Sequence, residues 1–231
     1  MLYFRNALEV QFSTGAKMSV DSHTQIIMDR YADRENISVH KIPDATLENV
    51  YLGKVLNTSD IAGKTILEIG AGCSTYTPIF LKHGCKRYYA NDLIPERIEA
   101  VRVDDPRFIA LPGDFRSLQI PEPADIVFAS LTMMFLVPMH EEIIAKLATA
   151  VKPGGYFMSM DANYFCPLSV YRRVADRGAN PARIFSPFAY AERFRKNGFA
   201  IEKLVPFTAK APNTTGSWAL GTTFWLKARK L

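Results

Sequence analysis

Residues 66–77 read ILEIGAGCSTYT, a short apolar run that ends in two glycines one residue apart. Such a run is typical of a strand buried on both faces of a sheet. Gly70 and Gly72 then allow the backbone to reverse and to approach a ligand closely. In the G-x-G-x-x-G pattern of dinucleotide-binding proteins the third glycine falls at Thr75, which disfavours NAD, and the spacing of a P-loop is absent. The stretch predicts a strand, a tight loop and a helix, and the simplest alternative is that the glycines only make the turn.

Further apolar runs alternate with helical segments on the carboxyl side of this stretch. The runs are residues 88–92, 108–111, 124–130 and 155–160, and the helical segments are residues 77–84, 95–102 and 140–155. This alternation predicts an α/β fold with a doubly wound, mostly parallel sheet. A helix at residues 186–198 and two apolar segments, 199–207 and 218–228, close the chain, with an exposed connection between those two segments.

The amino-terminal part has a different pattern. Residues 21–57 carry apolar side chains at helical spacing, interrupted near Pro43. We therefore predict an N-terminal helical cap at residues 18–57 and a main domain at residues 58–231, with an insertion at about 161–186. Met18 can serve as the initiator, so residues 1–17 are treated as an extension outside the fold prediction.

The composition excludes several classes of protein. Of the 231 residues, 48% are hydrophobic and 22% are charged, as in an ordinary globular protein. Three cysteines without a CxxC pair indicate neither a disulfide framework nor a zinc site, and we expect no metal. The sequence has no run long enough to span a membrane and no signal-peptide pattern, which favours a cytoplasmic protein. The net charge of +5 permits an anionic partner.

Acidic residues recur where the predicted strands end. Asp92 ends the second run, twenty residues after Gly72, where a carboxylate can accept hydrogen bonds from the hydroxyl groups of a ribose. Asp114 follows the third run and can meet an adenine amino group, while Phe115 can cover the base. Glu68 adds a negative charge next to the glycine loop. This arrangement is poor for a pyrophosphate and suits a ligand with a ribose, an amino group and a positive centre.

These motifs together resemble class I S-adenosylmethionine-dependent methyltransferases, particularly those that act on small molecules. The matching pieces are ILEIGAGCSTYT, NDLIPERI, PGDF, ADIVFASLTM and VKPGGYF, in the order and spacing of that family over about residues 46–231. The resemblance implies a Rossmann-like, seven-stranded sheet with a reversed last strand and S-adenosyl-L-methionine as cofactor. Cys73 departs from the family, in which another glycine is common, and it narrows the loop.

The resemblance also implies roles for particular residues. The glycine loop would lie along the methionine part of the cofactor, Asp92 would hold the ribose, Asp114 and Phe115 would contact adenine, and the segment after the fourth strand would line the methyl group. The implied cofactor-binding residues are Tyr31 from the cap, Glu68, Gly70, Ala71, Gly72, Asp92, Leu93, Asp114, Phe115, Ser130, Leu131 and Thr132.

The acceptor side is less defined, because an activated methyl donor needs positioning more than a dedicated base. Related enzymes that methylate amines of nucleic-acid bases carry Asn/Asp-Pro-Pro-Tyr/Phe after the fourth strand. Residues 130–135 read SLTMMF here, which argues against a nucleic-acid acceptor. The substrate-side candidates are Asp161, Asn163, Met133 and Tyr164. Turn capping is an equal alternative for the first two, and packing is an alternative for the others.

Six arginines cluster in the insertion and the following helix: Arg172, Arg173, Arg177, Arg183, Arg193 and Arg195. They form either a solvated face or a site in which one or two hold a substrate carboxylate or phosphate. We expect a methyltransferase acting at oxygen or nitrogen of a small-molecule metabolite. The alternatives are an RNA or protein methyltransferase, a cofactor-binding partner protein without transferase activity and, more remotely, a nicotinamide oxidoreductase. The sequence defines neither the acceptor nor the oligomeric state.

Overall fold

The computed structural model describes residues 20–31, 43–72, 76–99, 103–175, 182–208 and 217–231. They form a seven-stranded sheet with strand order β3-β2-β1-β4-β5-β7-β6. The strands are β1 (Thr65–Ile69), β2 (Arg87–Asp92), β3 (Phe108–Pro112), β4 (Ala124–Ser130), β5 (Val151–Ala162), β6 (Phe199–Phe207) and β7 (Thr223–Lys230). Strands β1 to β5 pair in parallel, and β7 runs antiparallel to both β5 and β6. The predicted fold class and the reversed last strand are confirmed.

The α-helices are α1 (Val20–Tyr31), α2 (Asp44–Thr46), α3 (Thr77–Lys82), α4 (Pro95–Glu99), α5 (His140–Ala150), α6 (Pro167–Ala175) and α7 (Pro187–Lys196). Shorter helical turns continue α2 as far as Lys54 and occupy Thr58–Ile61, Met133–Phe135 and Val137–Met139. Within the described ranges, no helix combines the length and the hydrophobicity that a membrane crossing requires.

The sheet is buried because both of its faces are covered. In β1 all five residues are buried, and successive side chains point to opposite faces of the strand. Leu67 and Ile69 pack into a core with α5 and α7, whereas Ile66 packs into a second core with α3 and the turns at residues 47–61. The continuous apolar runs in the sequence therefore correspond to central strands between two helical layers.

The chain order places a ligand site at one edge of this sheet. From β1 the chain winds outward through β2 and β3, and then returns to β4 on the other side of β1. Such a reversal in a doubly wound sheet leaves a crevice at the carboxyl ends of the neighbouring strands. The glycine loop, Asp92 and Thr132 follow β1, β2 and β4 at that edge.

Three predicted boundaries are corrected. Strand β5 begins directly at Val151 after α5, so Lys152–Gly155 form an irregular part of this strand and do not belong to the end of a helix. The same strand continues to Ala162, beyond the predicted end of the fifth apolar run at residue 160, and the insertion itself stays a prediction. Trp218 lies in a turn, and β7 starts only at Thr223. The proposed extension at residues 1–17 lies outside the described residues, and the division at residue 57 stays a prediction.

Candidate cofactor and methyl-transfer site

The glycine loop has a backbone that only glycine adopts easily. Gly70 and Gly72 have φ angles of 67° and 53°, in the left-handed region where other residues are strained. A Cβ on Gly70 would lie 2.4 Å from the side chain of Thr132. The Ala71 amide donates to the carbonyl oxygen of Asn91 at 2.8 Å, which fastens the loop to the end of β2. Residues 73–75, which include Cys73 and Thr75, lie outside the described residues.

Asp92 is held rigidly at the end of β2. Its Oδ2 accepts the Gly72 amide at 2.7 Å and its Oδ1 accepts the Ile94 amide at 2.9 Å. Burial raises the pKa of Asp92, and the Ile94 amide and the nearby Arg97 guanidinium act in the opposite direction. Each carboxylate oxygen accepts one hydrogen bond from the backbone and retains capacity for another. Asp92 is therefore a preorganised acceptor beside the glycine loop, and its predicted role in holding a ribose stays a prediction.

Asp114 and Phe115 line the next part of the crevice. The Asp114 carboxylate accepts from Arg116 Nε at 2.8 Å and from the Arg116 amide at 2.9 Å. Although burial opposes ionisation, these bonds with Arg116 hold the pKa of Asp114 below its ordinary value. Phe115 is almost fully buried, and Lys146 Nζ lies 5.3 Å from the centroid of its ring. The site thus offers one charged acceptor and one apolar face, which are the groups that a purine needs.

The segment after β4 closes the crevice from the other side. The Thr132 hydroxyl donates to the carbonyl oxygen of Ser130 at 3.1 Å and lies 3.4 Å from that of Gly70. Leu131 has a positive φ of 53°, and its side chain is 44% exposed. A leucine in this conformation is strained and persists only where its surroundings impose it.

Helix α1 lies across the crevice and contributes residues that sequence reasoning missed. His23 Nε2 lies 2.8 Å from the carbonyl oxygen of Phe135 and donates to it. The ring of Tyr31 meets the ring of Phe135 edge-on at 5.4 Å, and Arg97 lies over the Tyr31 ring. The described residues outline a cavity of about 50 Å³ at this place. The lining residues not predicted from sequence are Thr24, Ile69, Asn91, Leu136, Met139 and Ile143.

Only a weak sequence signal pointed to those lining residues. Met139 and Ile143 are four residues apart and therefore share one face of the start of α5. Thr24 depends on how α1 docks, which no local pattern encodes. Tyr31, the cap residue that was predicted, lies beside Arg97 rather than among the residues that line the cavity.

Glu68 has a different environment from the predicted one. Strand alternation directs its side chain into the core with Tyr88, whose hydroxyl donates to Glu68 Oε2. Burial raises the pKa of Glu68 to about 8, against the effect of the Tyr88 bond. Glu68 is therefore protonated at neutral pH and adds no negative charge beside the loop, which corrects that part of the prediction.

The substrate-side candidates also need correction, since three of the four are fully buried. Asn163 donates to the carbonyl oxygens of Trp218 and Gly221 at 2.7 Å each, so it fastens a turn. Met133 lies in the core, and Asp161 is bonded to the Met134 amide at 3.1 Å behind the segment after β4. Tyr164 is partly exposed and packs edge-on against Phe165; its role stays a prediction.

A larger cleft of about 600 Å³ lies at the opposite edge of the sheet. It is lined by Lys64, Asp125, Lys152, Tyr156 and Lys227, among others. These residues are near the amino ends of β1, β4 and β5, remote from the glycine loop and Asp92. Lys152 and Asp125 already form an ion pair at 2.8 Å. Size alone therefore does not make this cleft the functional site.

Comparisons with known proteins agree with this geometry. A family model described as a methyltransferase domain matches residues 67–159. The chain is 23% identical over 168 residues to protein arginine N-methyltransferase 6 of Danio rerio, covering 66% of this chain and 47% of that protein. It is 34% identical over 99 residues to a malonyl-acyl-carrier-protein O-methyltransferase of Prosthecochloris aestuarii, covering 39% and 36% respectively. The chain spans less than half the length of both curated relatives.

Solved structures show the same fold. An S-adenosylmethionine-dependent methyltransferase from Mesorhizobium loti superposes with a TM-score of 0.64 at 19% identity, covering 78% of this chain and 95% of that one. The sheet order and this superposition show the fold of S-adenosylmethionine-dependent methyltransferases, and the family model indicates a methyltransferase domain at residues 67–159. The solved structure from Mesorhizobium loti is named for S-adenosylmethionine as its cofactor.

The crevice residues fit that cofactor. A side chain at Gly70 would collide with Thr132, so only glycine lets the loop lie this close to the segment after β4. Asp92 accepts the Gly72 amide at Oδ2 and the Ile94 amide at Oδ1, and each oxygen has capacity to accept one hydroxyl group as well. Arg97 lies at the same place, and its buried Nε has no hydrogen-bond partner among the described residues. The Asp92 carboxylate as acceptor and Arg97 as donor therefore suit a ribose and an attached amino-acid chain.

Proposed function

We propose that this protein transfers a methyl group from S-adenosylmethionine to an oxygen or nitrogen of a small-molecule metabolite. The observation that carries the proposal is the position of α1, which packs against the segment after β4 through the His23–Phe135 bond and the Tyr31–Phe135 contact. A transfer site enclosed in this way accommodates a compact acceptor and excludes water from the reaction.

The residues of this chain contribute binding and orientation. Asp92 and Asp114 hold the ribose and the purine, and the glycine loop lies along the amino-acid chain. When bound, S-adenosylmethionine supplies a methyl carbon on a positively charged sulfur, which is electrophilic without further activation. Thr132 lines the place where an acceptor oxygen or nitrogen would be aligned with that methyl carbon. The acceptor would take the methyl group in exchange for a proton, which would pass to solvent, and S-adenosylhomocysteine would be the leaving product.

A protein acceptor is the second candidate, because one relative is named for arginine residues and another for an acyl-carrier protein. An arginine acceptor is cationic and requires a carboxylate beside the methyl group. The segment at residues 130–135 contains no acidic residue, and Asp161 behind it is fully buried. These features favour an uncharged or anionic acceptor.

Calorimetry with S-adenosylhomocysteine tests the cofactor site. Asp92→Ala removes two charge-assisted acceptors, each contributing about 1.5–3 kcal/mol, so affinity should fall about 100-fold or more. The matched control is Asp105→Ala, which removes a carboxylate paired with Arg107 at 2.6 Å near the start of β3. The control should bind like the wild type. Equal affinity of the Asp92 variant and the wild type would contradict the assignment.

The acceptor class is tested with methyl-labelled cofactor. Protein, RNA and small-molecule fractions of one cell extract are offered separately, and the label is followed into each. The proposal predicts label in the small-molecule fraction. Label in protein would support the second candidate, and label in RNA that disappears steeply with salt would indicate a nucleic-acid acceptor. Tight cofactor binding without transfer to any fraction would indicate a partner protein that lacks transferase activity.

A further inference from the structure

The segment after β4, residues 131–135, is hereafter the post-β4 turn, and its backbone is fixed on several sides. The Leu131 amide donates to the carbonyl oxygen of Met160 at 2.6 Å. The carbonyl oxygen of Met133 accepts from His140 Nε2 at 2.9 Å, and that of Met134 accepts from the Arg183 amide at 2.7 Å. These contacts explain how Leu131 keeps its strained backbone, since the groups around it define the conformation.

Asp161 provides one of these contacts from a fully buried position. Its Oδ1 accepts the Met134 amide at 3.1 Å, which satisfies a backbone donor in the first turn of the short helix Met133–Phe135. Its Oδ2 is buried and has no hydrogen-bond partner in the part of the chain that the structure describes. A polar group left in this state is costly, so its presence requires an explanation other than stability.

The groups around Asp161 offset only part of the cost of burying a negative charge. Ser159 precedes it on β5, and the Tyr190 hydroxyl from α7 lies 3.4 Å from Ser159 Oγ. Next to Tyr190 is the ring of His140, whose Nδ1 accepts from Arg193 at 3.1 Å. Burial raises the pKa of Asp161 to about 8, although the Met134 amide, Ser159 and the Met133 amide act in the opposite direction. At neutral pH the group is therefore a neutral carboxyl.

We infer that Asp161 is a positioning residue of the methyl-transfer site, which holds the post-β4 turn in the place where Thr132 and Leu136 line the crevice. Met160 and Asp161 are neighbours on β5, and together they hold Leu131 and Met134 from behind. The role is indirect, because Asp161 has no exposed surface and touches the turn rather than a ligand. The inference rests on the proposed function only in taking the crevice as the cofactor site.

Two substitutions separate this role from simple packing. Asp161→Asn keeps an oxygen that accepts the Met134 amide and cannot ionise. Asp161→Ala removes the acceptor. Asn163→Ala is the matched control, because Asn163 is equally buried one residue beyond the same strand but fastens the Trp218–Gly221 turn.

The readouts at pH 6.5 are S-adenosylhomocysteine affinity by calorimetry and hydrogen exchange of the Met134 amide. Asp161→Ala should weaken binding about tenfold and accelerate exchange at Met134, whereas Asp161→Asn should resemble the wild type. Asn163→Ala should lower thermal stability and leave affinity unchanged. An alanine variant with unchanged affinity and unchanged exchange would overturn the inference.

The pH dependence gives a second test that does not need the alanine variant to fold. Between pH 7 and 9.5 the wild type should lose affinity with a midpoint near pH 8, because an ionised Asp161 must recruit water or open the turn. Asp161→Asn should lack this loss of affinity. The ratio of the wild-type affinity to that of Asp161→Asn therefore depends on pH only through the ionisation of the Asp161 carboxyl. If both proteins lose affinity in parallel, Asp161 does not position the turn. If the wild type does not bind S-adenosylhomocysteine at any pH, the proposed function itself fails, and exchange at Met134 still tests the positioning role.

Discussion

Replacing Gly70 with alanine should damage both stability and cofactor binding, for reasons that the structure separates. The φ of 67° costs an L-residue about 1–2 kcal/mol. The new Cβ would also lie 2.4 Å from both Cγ2 and Oγ1 of Thr132 and 3.0 Å from its Cβ. Thr132 is tied to Ser130 and cannot turn away without losing that bond, so overpacking adds about 1–3 kcal/mol. Together these effects predict a loss of about 2–5 kcal/mol in the free energy of unfolding.

The matched control is Gly154→Ala, because Gly154 has a similar φ of 75° and no atom of the described residues lies within 4 Å of the place that its Cβ would take. Urea unfolding should show only the backbone cost there, about 1–2 kcal/mol, and S-adenosylhomocysteine affinity should be unaffected. Adding Thr132→Ala to Gly70→Ala removes the two closest atoms and should recover part of the lost stability. The reasoning is refuted if Gly70→Ala costs no more than Gly154→Ala, or if the second substitution recovers nothing.

Three further predictions concern buried acids and bases and the strained leucine. The pKa of Glu68 is about 8 in the folded state and 4.5 ordinarily. Its contribution to the free energy of unfolding is therefore complete below pH 4.5 and is lost as the pH rises to 8. Glu68→Gln should reduce this decline in the free energy of unfolding, measured in urea, by up to about 1.4 kcal/mol per pH unit. Burial lowers the pKa of His140 to about 4. The contribution of the neutral ring to the free energy of unfolding is therefore complete above pH 6.5 and is lost as the pH falls towards 4. His140→Gln should therefore unfold at a midpoint that depends less on acid, and an unchanged dependence would contradict this. Leu131→Gly should be more stable than Leu131→Ala by about 1 kcal/mol in thermal unfolding, since only alanine keeps the strain of the positive φ, and the opposite order would exclude strain there.

Much of the fold was predictable because two periodicities dominate the sequence. Each central strand is a continuous apolar run, and each run is separated from the next by a helical pattern, which together determine a parallel sheet covered on both faces. The errors fall where local preference loses to tertiary contact. Lys152–Gly155 contains a proline and two glycines and reads as a helix stop, yet it lies within β5 as an irregularity between Val151 and Tyr156, which both pair with β4.

The site was predictable where the residue type itself limits the role. Gly70, Gly72 and Asp92 are required by backbone conformation and by the end of a strand, and the structure places them together. The two buried acids, Glu68 and Asp161, differ in how far their burial was predictable. Strand alternation assigns Glu68 to the side of Ile66 and away from the crevice, and that alternation was readable from the sequence. The environment of Asp161 depends on how the post-β4 turn folds back on β5, and no local pattern contains that information.

The most direct test of the account is a structure of this protein with S-adenosylhomocysteine. The account predicts that α1 lies over the bound ligand, that both ribose hydroxyls lie within hydrogen-bond distance of the Asp92 carboxylate, and that the purine lies against Phe115. A complex in which the ligand occupies the larger cleft near Lys227, or in which Asp92 makes no contact with it, would contradict the central claim.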